Sequence, residues 1–518
     1  MPIAAPATDR DVLTPRARTF LADLTRSLRP RLDALLRARR SRQTALDRGA
    51  TLGFLGETRA LRRAIWKVAP PPDALRRPGV ELVGPADRKG LAVGLGAGAE
   101  AFVADFEDSS APTRRNAIEG QRNLADAVRR KLVHEDVARG TRVRVDDRAA
   151  PIVVRPRGLH LVERTLLVDG RPIPAALVDV GLFLFHDAAE MISRGALPLL
   201  CLPKLESHFE ARWWNSALVR AQEALGLPLG SIRAVVEIET LPAAFEMDEI
   251  LYELRNHASA LGWGARDLAL SYRKVHRTRP RAVLPDRAQL TTAQPFLAAA
   301  SRLLVRTCRR RGAVAIGGLS EHAPAPDGGA PDALRSEKER EGRCGFDRTR
   351  VAHPALVEQA REELLDGARS ADPARLERVE VTAAELLADP VGTRTESGLR
   401  RNLRVGVVAV EAWLRGVGRV ELDGRSEDTA SAEICRAQVW QWLRHGATLS
   451  DGRLVSPGLV RTLLDEETRG FEGGRFAEAR DLMARLCFAE RLADFFTLEG
   501  YDLLEPVPTD AVEIAARG

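Results

Sequence analysis

An α/β fold organised around an eight-stranded parallel barrel is what the sequence predicts, and three observations predict it. Short apolar runs alternate with helical stretches between residues 80 and 366, the pattern of repeated βα units. About eight such runs fall within roughly 285 residues, close to the ~250 residues usual for a (β/α)8 barrel. No G-x-G-x-x-G opens any of the helices, so the competing architecture, a doubly wound open sheet, lacks its usual mark.

The elements follow in chain order. From Thr14 to about Trp66, apolar residues recur at helical spacing, as in Phe20, Leu21, Leu24, Leu28, Leu32, Leu35 and Leu36, with arginines on the remaining faces. This predicts a helical segment over residues 1–79. Prolines at 70, 71, 72 and 78 break the pattern, and a new regime starts at Val80. Strands are expected near Leu82, at 101–105, 152–155, 199–202 and 232–238, near Leu261, and at 313–317 and 351–352. A helix is expected over 243–260. Beyond a charged stretch at 367–380, residues 367–518 read as a largely helical domain, with helices at 399–413, 431–444 and 476–498.

Composition narrows the function classes. A chain of 518 residues, 45% hydrophobic and 29% charged, has the make-up of an ordinary globular protein with room for several domains. The net charge of +6 and pI near 9.3 invite a nucleic-acid reading. However, arginines and acids interleave, as over 411–425, and no basic tract is spaced by aromatics, so no nucleic-acid partner is expected. Five scattered cysteines without a C-x-x-C pair give neither a disulfide framework nor zinc spacing, which suits a reducing cytoplasm. No run approaches the ~20 apolar residues of a membrane span. Residues 1–18 lack a signal-peptide core, and Ala516-Arg517-Gly518 is not a peroxisomal or lipidation signal. The expectation is a cytoplasmic protein with no membrane partner, a monomer or small homo-oligomer.

A barrel enzyme builds its site at the C-terminal ends of its strands, so polar residues closing apolar runs are the candidates. Asp105 and Glu107 stand two apart where the run 101–105 ends, and extended backbone would project both on one face. Alone, they serve equally as a solvated strand end or a helix cap. Arg155 closes 152–155 before Pro156; alone it reads as a surface ion pair. Glu239 closes 232–238, and Thr240 with Pro242 opens a helix. Asp267 follows 28 residues later, after Gly262-Trp263-Gly264. One βα unit is about 30 residues, so the two carboxylates are expected at the ends of neighbouring strands. Two hard oxygen ligands beside open space are what Mg²⁺ uses, because it keeps waters and completes its octahedron with substrate oxygens. Asp428, opening the helix at 431–444, would be kept ionised by the positive end of the helix dipole, as a general base requires. Capping of that helix by Ser426 or Asp428 is the alternative.

Together and in this order, these places resemble malate synthases of the shorter A type. The resemblance is carried by Ala104-Asp105-Phe106-Glu107-Asp108-Ser109, by Arg155-Pro156-Arg157-Gly158-Leu159-His160, by residues 238–255 and by 427–434, and it runs from about Phe54 to Tyr501. It implies a TIM barrel (80–366) with an N-terminal helical clasp (1–79) and a C-terminal all-helical capping domain (367–518) that carries the base. It also implies condensation of acetyl-CoA with glyoxylate, then hydrolysis to malate and CoA. On this reading Glu239 and Asp267 are the Mg²⁺ ligands, Arg155 is the catalytic arginine, Asp428 the base, Asp105 and Glu107 hold the metal's waters, and Gly264 and Arg266 bind substrate. A malyl-CoA or citramalyl-CoA lyase, a related thioesterase and a catalytically silent scaffold are the alternatives.

The chain departs from the family pattern in places. Ala265-Arg266-Asp267-Leu268 stands where Arg-Trp-Asp-Tyr is common, residues 345–350 replace Asp-Gly-Thr-Trp, Ser426 replaces Met, and Glu321-His322-Ala323 is more polar than usual. The segments 321–323 and 345–350 are expected near the CoA approach. Glu237 replaces an apolar residue and is expected to pair with an arginine inside the barrel.

Overall fold

The structure, a computed structural model, describes residues 9–136, 140–372, 378–504 and 511–515. The sequence readings at 1–8, 373–377 and 516–518 therefore lie outside the described residues. Eight strands close into an all-parallel barrel: β1 (Gly79–Pro85), β2 (Ala101–Asp105), β3 (Ile152–Arg155), β4 (Leu199–Leu202), β5 (Arg233–Ile238), β6 (Ala258–Trp263), β7 (Val314–Ser320) and β8 (Arg348–Val351). They are ordered β1-β8-β7-β6-β5-β4-β3-β2 around the ring. All eight lie at or beside the positions expected from the apolar runs. The runs of β3, β4 and β5 are largely apolar because each of these strands is covered on both faces, by the barrel interior and by the outer helices.

Register places the functional ends. Asp105 lies opposite Arg155 across β2 and β3, and Ile238 lies opposite Trp263 across β5 and β6. Glu239 and Gly264, one residue further on, are thereby brought together at the barrel mouth. Asp267 follows in the first turn of α2 (Ala265–Val275).

The N-terminal helix α1 (Pro15–Asp47) starts where Thr14 accepts the Ala17 N–H and Pro15 occupies the first turn. Its apolar face, Phe20, Leu21, Leu24, Leu28 and Leu32, is buried, and the helix packs on the outer barrel helices Ala175–Ser193 and His208–Leu225. Trp213 donates to the Leu28 carbonyl at 3.0 Å. A Cβ at Gly181 would come within 2.6 Å of Leu21, so a larger residue there would push that side chain aside. The helical pattern expected to reach Trp66 stops at Asp47, and Gly49 follows at φ 103. Only two short helices, Arg59–Arg63 and Asp73–Arg76, follow before β1.

Other expectations are corrected. The helix expected over 243–260 is two short helices, Leu241–Phe245 and Met247–Glu253, because Ala258, Ser259 and Ala260 are claimed by β6. Their small side chains read as helix formers, but pairing with β5 decides their state. The helix expected over 476–498 is two, Phe476–Cys487 and Phe496–Leu504.

The C-terminal region is helical, with α3 (Glu396–Leu414) and α4 (Thr429–Arg444) packed together, but includes a hairpin of β9 (Arg419–Leu422) and β10 (Arg425–Asp428). Its turn residues Asp423 and Gly424 sit at φ 51 and φ 70, the geometry of a tight two-residue hairpin loop. This hairpin lies on the barrel mouth: Ala323 N–H donates to the Gly424 carbonyl at 2.9 Å, Ser426 N–H to Glu321 at 2.7 Å, and Thr429 N–H to Asp108 at 3.2 Å. Leu270 on α2 packs with Ile434, Ala437 and Trp440 on α4, fixing one helix against the other. Among the described residues, no helix is long and apolar enough to cross a membrane.

Candidate active site

A cavity of about 490 Å³ opens at the C-terminal ends of the barrel strands. Its wall includes Asp105, Asp108, Arg155, Glu239, Gly264, Arg266, Asp267 and Asp428, so candidates scattered over more than 320 residues of sequence share one space. Glu107 and Lys204 lie just behind this wall, in a small pocket shared with Asp108 and Asp267.

Arg155 ends β3 and is 8% exposed. Its guanidinium reaches Asp108 at 2.7 Å, Asp105 at 3.1 Å and Glu239 at 3.2 Å. Lys204, two residues past β4, reaches Asp108 at 3.1 Å, Asp267 at 3.2 Å and Glu107 at 3.4 Å, and its backbone N–H donates to Glu239 at 2.6 Å. Lys204 holds φ 54, an uncommon conformation for a long side chain, of the kind that clusters at functional sites.

Five carboxyl groups thus surround two cations. Burial, the largest influence, pushes the Glu239 carboxyl up to about 8 against the pull of Lys204 and Arg155, with Asp267 and Glu237 adding to the rise. Burial likewise pushes Glu107 up to about 7 against Lys204. Burial would lower Arg155, but Asp105, Asp108 and Glu239 outweigh it and hold the guanidinium well above its ordinary range. The cluster has room electrostatically for one more positive charge.

Asp105 and Glu107 do not project side by side. The strand ends at Asp105, whose carboxylate accepts the N–H groups of Glu107, Asp108 and Ser109 at 2.9–3.2 Å and so shapes the turn. Glu107 turns away to accept the Gly158 N–H. Asp108, between Arg155 and Lys204, faces the cavity instead.

Gly264 leaves the space that Glu239 occupies: a Cβ there would lie 2.4 Å from the Glu239 Cβ. The N-terminus of α2 that follows has no side-chain cap, and Gly264, Ala265, Arg266 and Asp267 all line the cavity. The Arg266 side chain pairs with Glu321 and, at 3.4 Å, with Asp428. Asp428 caps α4 by accepting the Ser431 N–H at 3.0 Å while also lining the cavity, so capping and a place in the site are compatible. Ser426 is buried in β10 and caps nothing.

The segments 321–323 and 345–350, expected near the CoA approach, contribute Glu321, His322, Phe346 and Arg350 to the cavity wall. Arg350 turns into the barrel, 2.7 Å from Glu237 and 2.9 Å from Glu81, and Arg348 is 3.2 Å from Glu81. The ion pair expected for Glu237 is therefore present, as part of a four-residue network. Glu321 is also buried, among three arginines.

Lys204 was absent from the sequence candidates, although it stands just beyond an apolar run as Arg155 stands at the end of one. Asp108 was visible in its motif but carried no role. Glu321 was visible only as an unusually polar position, and Arg287 and Arg425 gave no signal, because the significance of all three lies in contacts across long separations in sequence.

The fold and this cavity define a TIM-barrel enzyme whose cavity is lined jointly by the barrel mouth and an appended, largely helical domain. Three family models match the chain: "Malate synthase, N-terminal domain" over residues 3–60, "Malate synthase, TIM barrel domain" over 151–389 and "Malate synthase, C-terminal" over 393–504. The malate synthase of Myxococcus xanthus is 46% identical over 96% of this chain and 94% of its own, that of Streptomyces clavuligerus 47% over 97% and 98%, and malate synthase A of Escherichia coli 39% over 96% of each. The chain belongs to the malate synthase family.

Proposed function

We propose that the cavity carries out the malate synthase reaction, condensing acetyl-CoA with glyoxylate and hydrolysing the product to malate and CoA, with Asp428 as base. The observation that carries this reading is that Asp428, borne by the C-terminal hairpin, lines the same cavity as Arg155, Glu239 and Asp267. The labour divides among residues 1–79 as clasp, 80–366 as barrel and 367–518 as the bearer of the base.

Glu239 and Asp267 fit a magnesium ion. They are hard oxygen donors on one cavity wall, in a cluster where carboxyl groups outnumber cations. Among the described residues no three histidine, cysteine or carboxylate side chains form a ready-made metal cage, and a two-carboxylate site is what Mg²⁺, which keeps water and substrate oxygens, uses. Bound there, the ion would supply Lewis-acid charge beside the oxygens of glyoxylate. Asp105, through the turn it organises, and Glu107, through Lys204, support the carboxylates around it.

The protein's own groups do the rest. The uncapped N-terminus of α2, at Ala265 and Arg266 beside Gly264, offers backbone N–H groups and a positive dipole end to the glyoxylate carboxylate. Asp428 takes a proton from the acetyl methyl group. That carbon acid is weak, so the developing enolate oxygen needs positive charge, which Arg155 supplies in a water-poor site. The enolate carbon then bonds to the aldehyde carbon held opposite it, an orientation effect as much as an electrostatic one. Water adds to the resulting thioester, the carbon–sulfur bond breaks, and CoA leaves as the thiol.

Five unpaired cysteines, four of them buried, suit the reducing cytoplasm in which we place the enzyme. The reading is tested by mixing the protein with acetyl-CoA, glyoxylate and Mg²⁺ and following free thiol. Thiol release that depends on all three supports it; cleavage of malyl-CoA without net condensation would overturn it in favour of a lyase.

A further inference from the structure

Three arginines converge on one buried carboxylate that the mechanism above does not use. Glu321 stands just past β7 with a side chain 1% exposed. It pairs with Arg266 of α2, with Arg425 of the hairpin at 3.0 Å and with Arg287, from the segment between α2 and β7, at 3.4 Å. Its carbonyl also accepts the Ser426 N–H at 2.7 Å. Arg287 in turn holds Glu427 at 2.5 Å, the residue before the base.

Arg266 consequently lies between two carboxylates. It is in ion-pair contact with Glu321, while its distances to the Asp428 oxygens are 3.4 Å, at the limit of a hydrogen bond. Asp428 Oδ1 is already committed to the Ser431 N–H at 3.0 Å and the Ser431 hydroxyl at 3.2 Å. Oδ2 is the oxygen left for a substrate proton. A guanidinium free to close on a carboxylate makes a two-pronged, charge-assisted pair at about 2.7–2.9 Å, which here would cover Oδ2.

We propose that Glu321 is a positioning residue: it draws Arg266 away from Asp428 and so keeps the base open to the acetyl methyl group. The inference rests on the reading of Asp428 as base. A role confined to docking the hairpin would lead to a different outcome, because loss of a docking contact is not repaired by deleting Arg266.

The test measures deuterium wash-in at the acetyl-CoA methyl group, together with steady-state thiol release, in E321Q, R266Q, R266Q/E321Q, E321D and D428N. E321Q is expected to lower kcat by roughly tenfold or more, up to the 10² to 10⁴ that a positioned base contributes, with the KM for glyoxylate little changed. R266Q/E321Q is expected to exchange several-fold faster than E321Q, and E321D to retain more activity than E321Q. A double variant no faster than E321Q, or a loss confined to KM, overturns the proposal. If E321Q does not fold, the same comparison is made between E321D and R266Q/E321D. D428N separates the two claims. Undiminished exchange in D428N removes Asp428 as base; a silent D428N without rescue by R266Q removes only the role of Glu321.

Discussion

Replacing Gly264 with alanine adds one methyl group where Glu239 already stands. The new Cβ would lie 2.4 Å from the Glu239 Cβ, 3.2 Å from its Oε2 and 3.3 Å from its Cα. Ordinary carbon–carbon contact needs about 3.5 Å, so Glu239 or α2 must withdraw by about 1 Å. Neither is free to do so. Glu239 is held by the Lys204 N–H at 2.6 Å and by Arg155, and Gly264 N–H is bonded to the Ile238 carbonyl at 3.2 Å. Overpacking of this kind costs about 1–3 kcal/mol of stability, and a displacement of about 1 Å in a reacting constellation costs about 10²-fold in rate. Gly264 has a negative φ of −103, so left-handed strain plays no part and the effect is steric. G264A should therefore unfold in denaturant with a loss of that size, bind Mg²⁺ more weakly by calorimetry, and release thiol about a hundredfold more slowly. A variant with wild-type turnover and Mg²⁺ affinity would refute the packing argument and the place given to Glu239.

Three further outcomes follow. E239Q should raise the Mg²⁺ concentration needed for half-maximal thiol release; an unchanged requirement would remove Glu239 as a ligand. E237L should cost about 3–5 kcal/mol in denaturant unfolding because it leaves Arg350 short of a buried partner, and E237L/R350M should cost less than the two single losses combined. Additive losses would contradict the coupling. His276 is 3% exposed, without a hydrogen-bond partner on either ring nitrogen among the described residues, and burial, aided by Arg279, lowers it to about 4. Its folded pKa lies below the ordinary 6.5, so the unfolded chain takes up the proton first; stability due to neutral His276 is complete above about 6.5 and is lost as the pH falls towards 4. H276F should reduce the loss of unfolding free energy between pH 7 and pH 4 by up to about 3 kcal/mol, and an unchanged pH dependence would contradict the assignment.

The barrel was legible because its strands are buried on both faces and so appear as apolar runs separated by helical stretches. The candidate site was partly legible for a related reason: a charged residue closing such a run, as Arg155 and Glu239 do, is conspicuous against it. What the sequence could not reveal depended on contacts between distant segments. Ala258-Ser259-Ala260 has no strand signature of its own and becomes β6 only by pairing with β5. Glu321 shows in the sequence only as an unexpectedly polar residue, yet in the fold it collects arginines from α2, the hairpin and the segment around Arg287. Arg350 stood out only as part of a segment expected near a ligand approach. In the fold it is a buried partner for Glu81 and Glu237, because β8 turns it into the barrel. The hairpin that carries Asp428 was also missed within a helical pattern, although Asp423-Gly424 is a recognisable tight-turn pair.

The central claim is that Asp428 removes the methyl proton in a cavity whose other groups bind and orient the second substrate. The most direct measurement is deuterium exchange into the methyl group of acetyl-CoA by wild type and D428N, alongside calorimetric binding of Mg²⁺ and glyoxylate to each. Exchange in D428N should fall by about 10² to 10⁴, the contribution of a positioned general base, with Mg²⁺ and glyoxylate binding little changed. Exchange at the wild-type rate in D428N would contradict that claim.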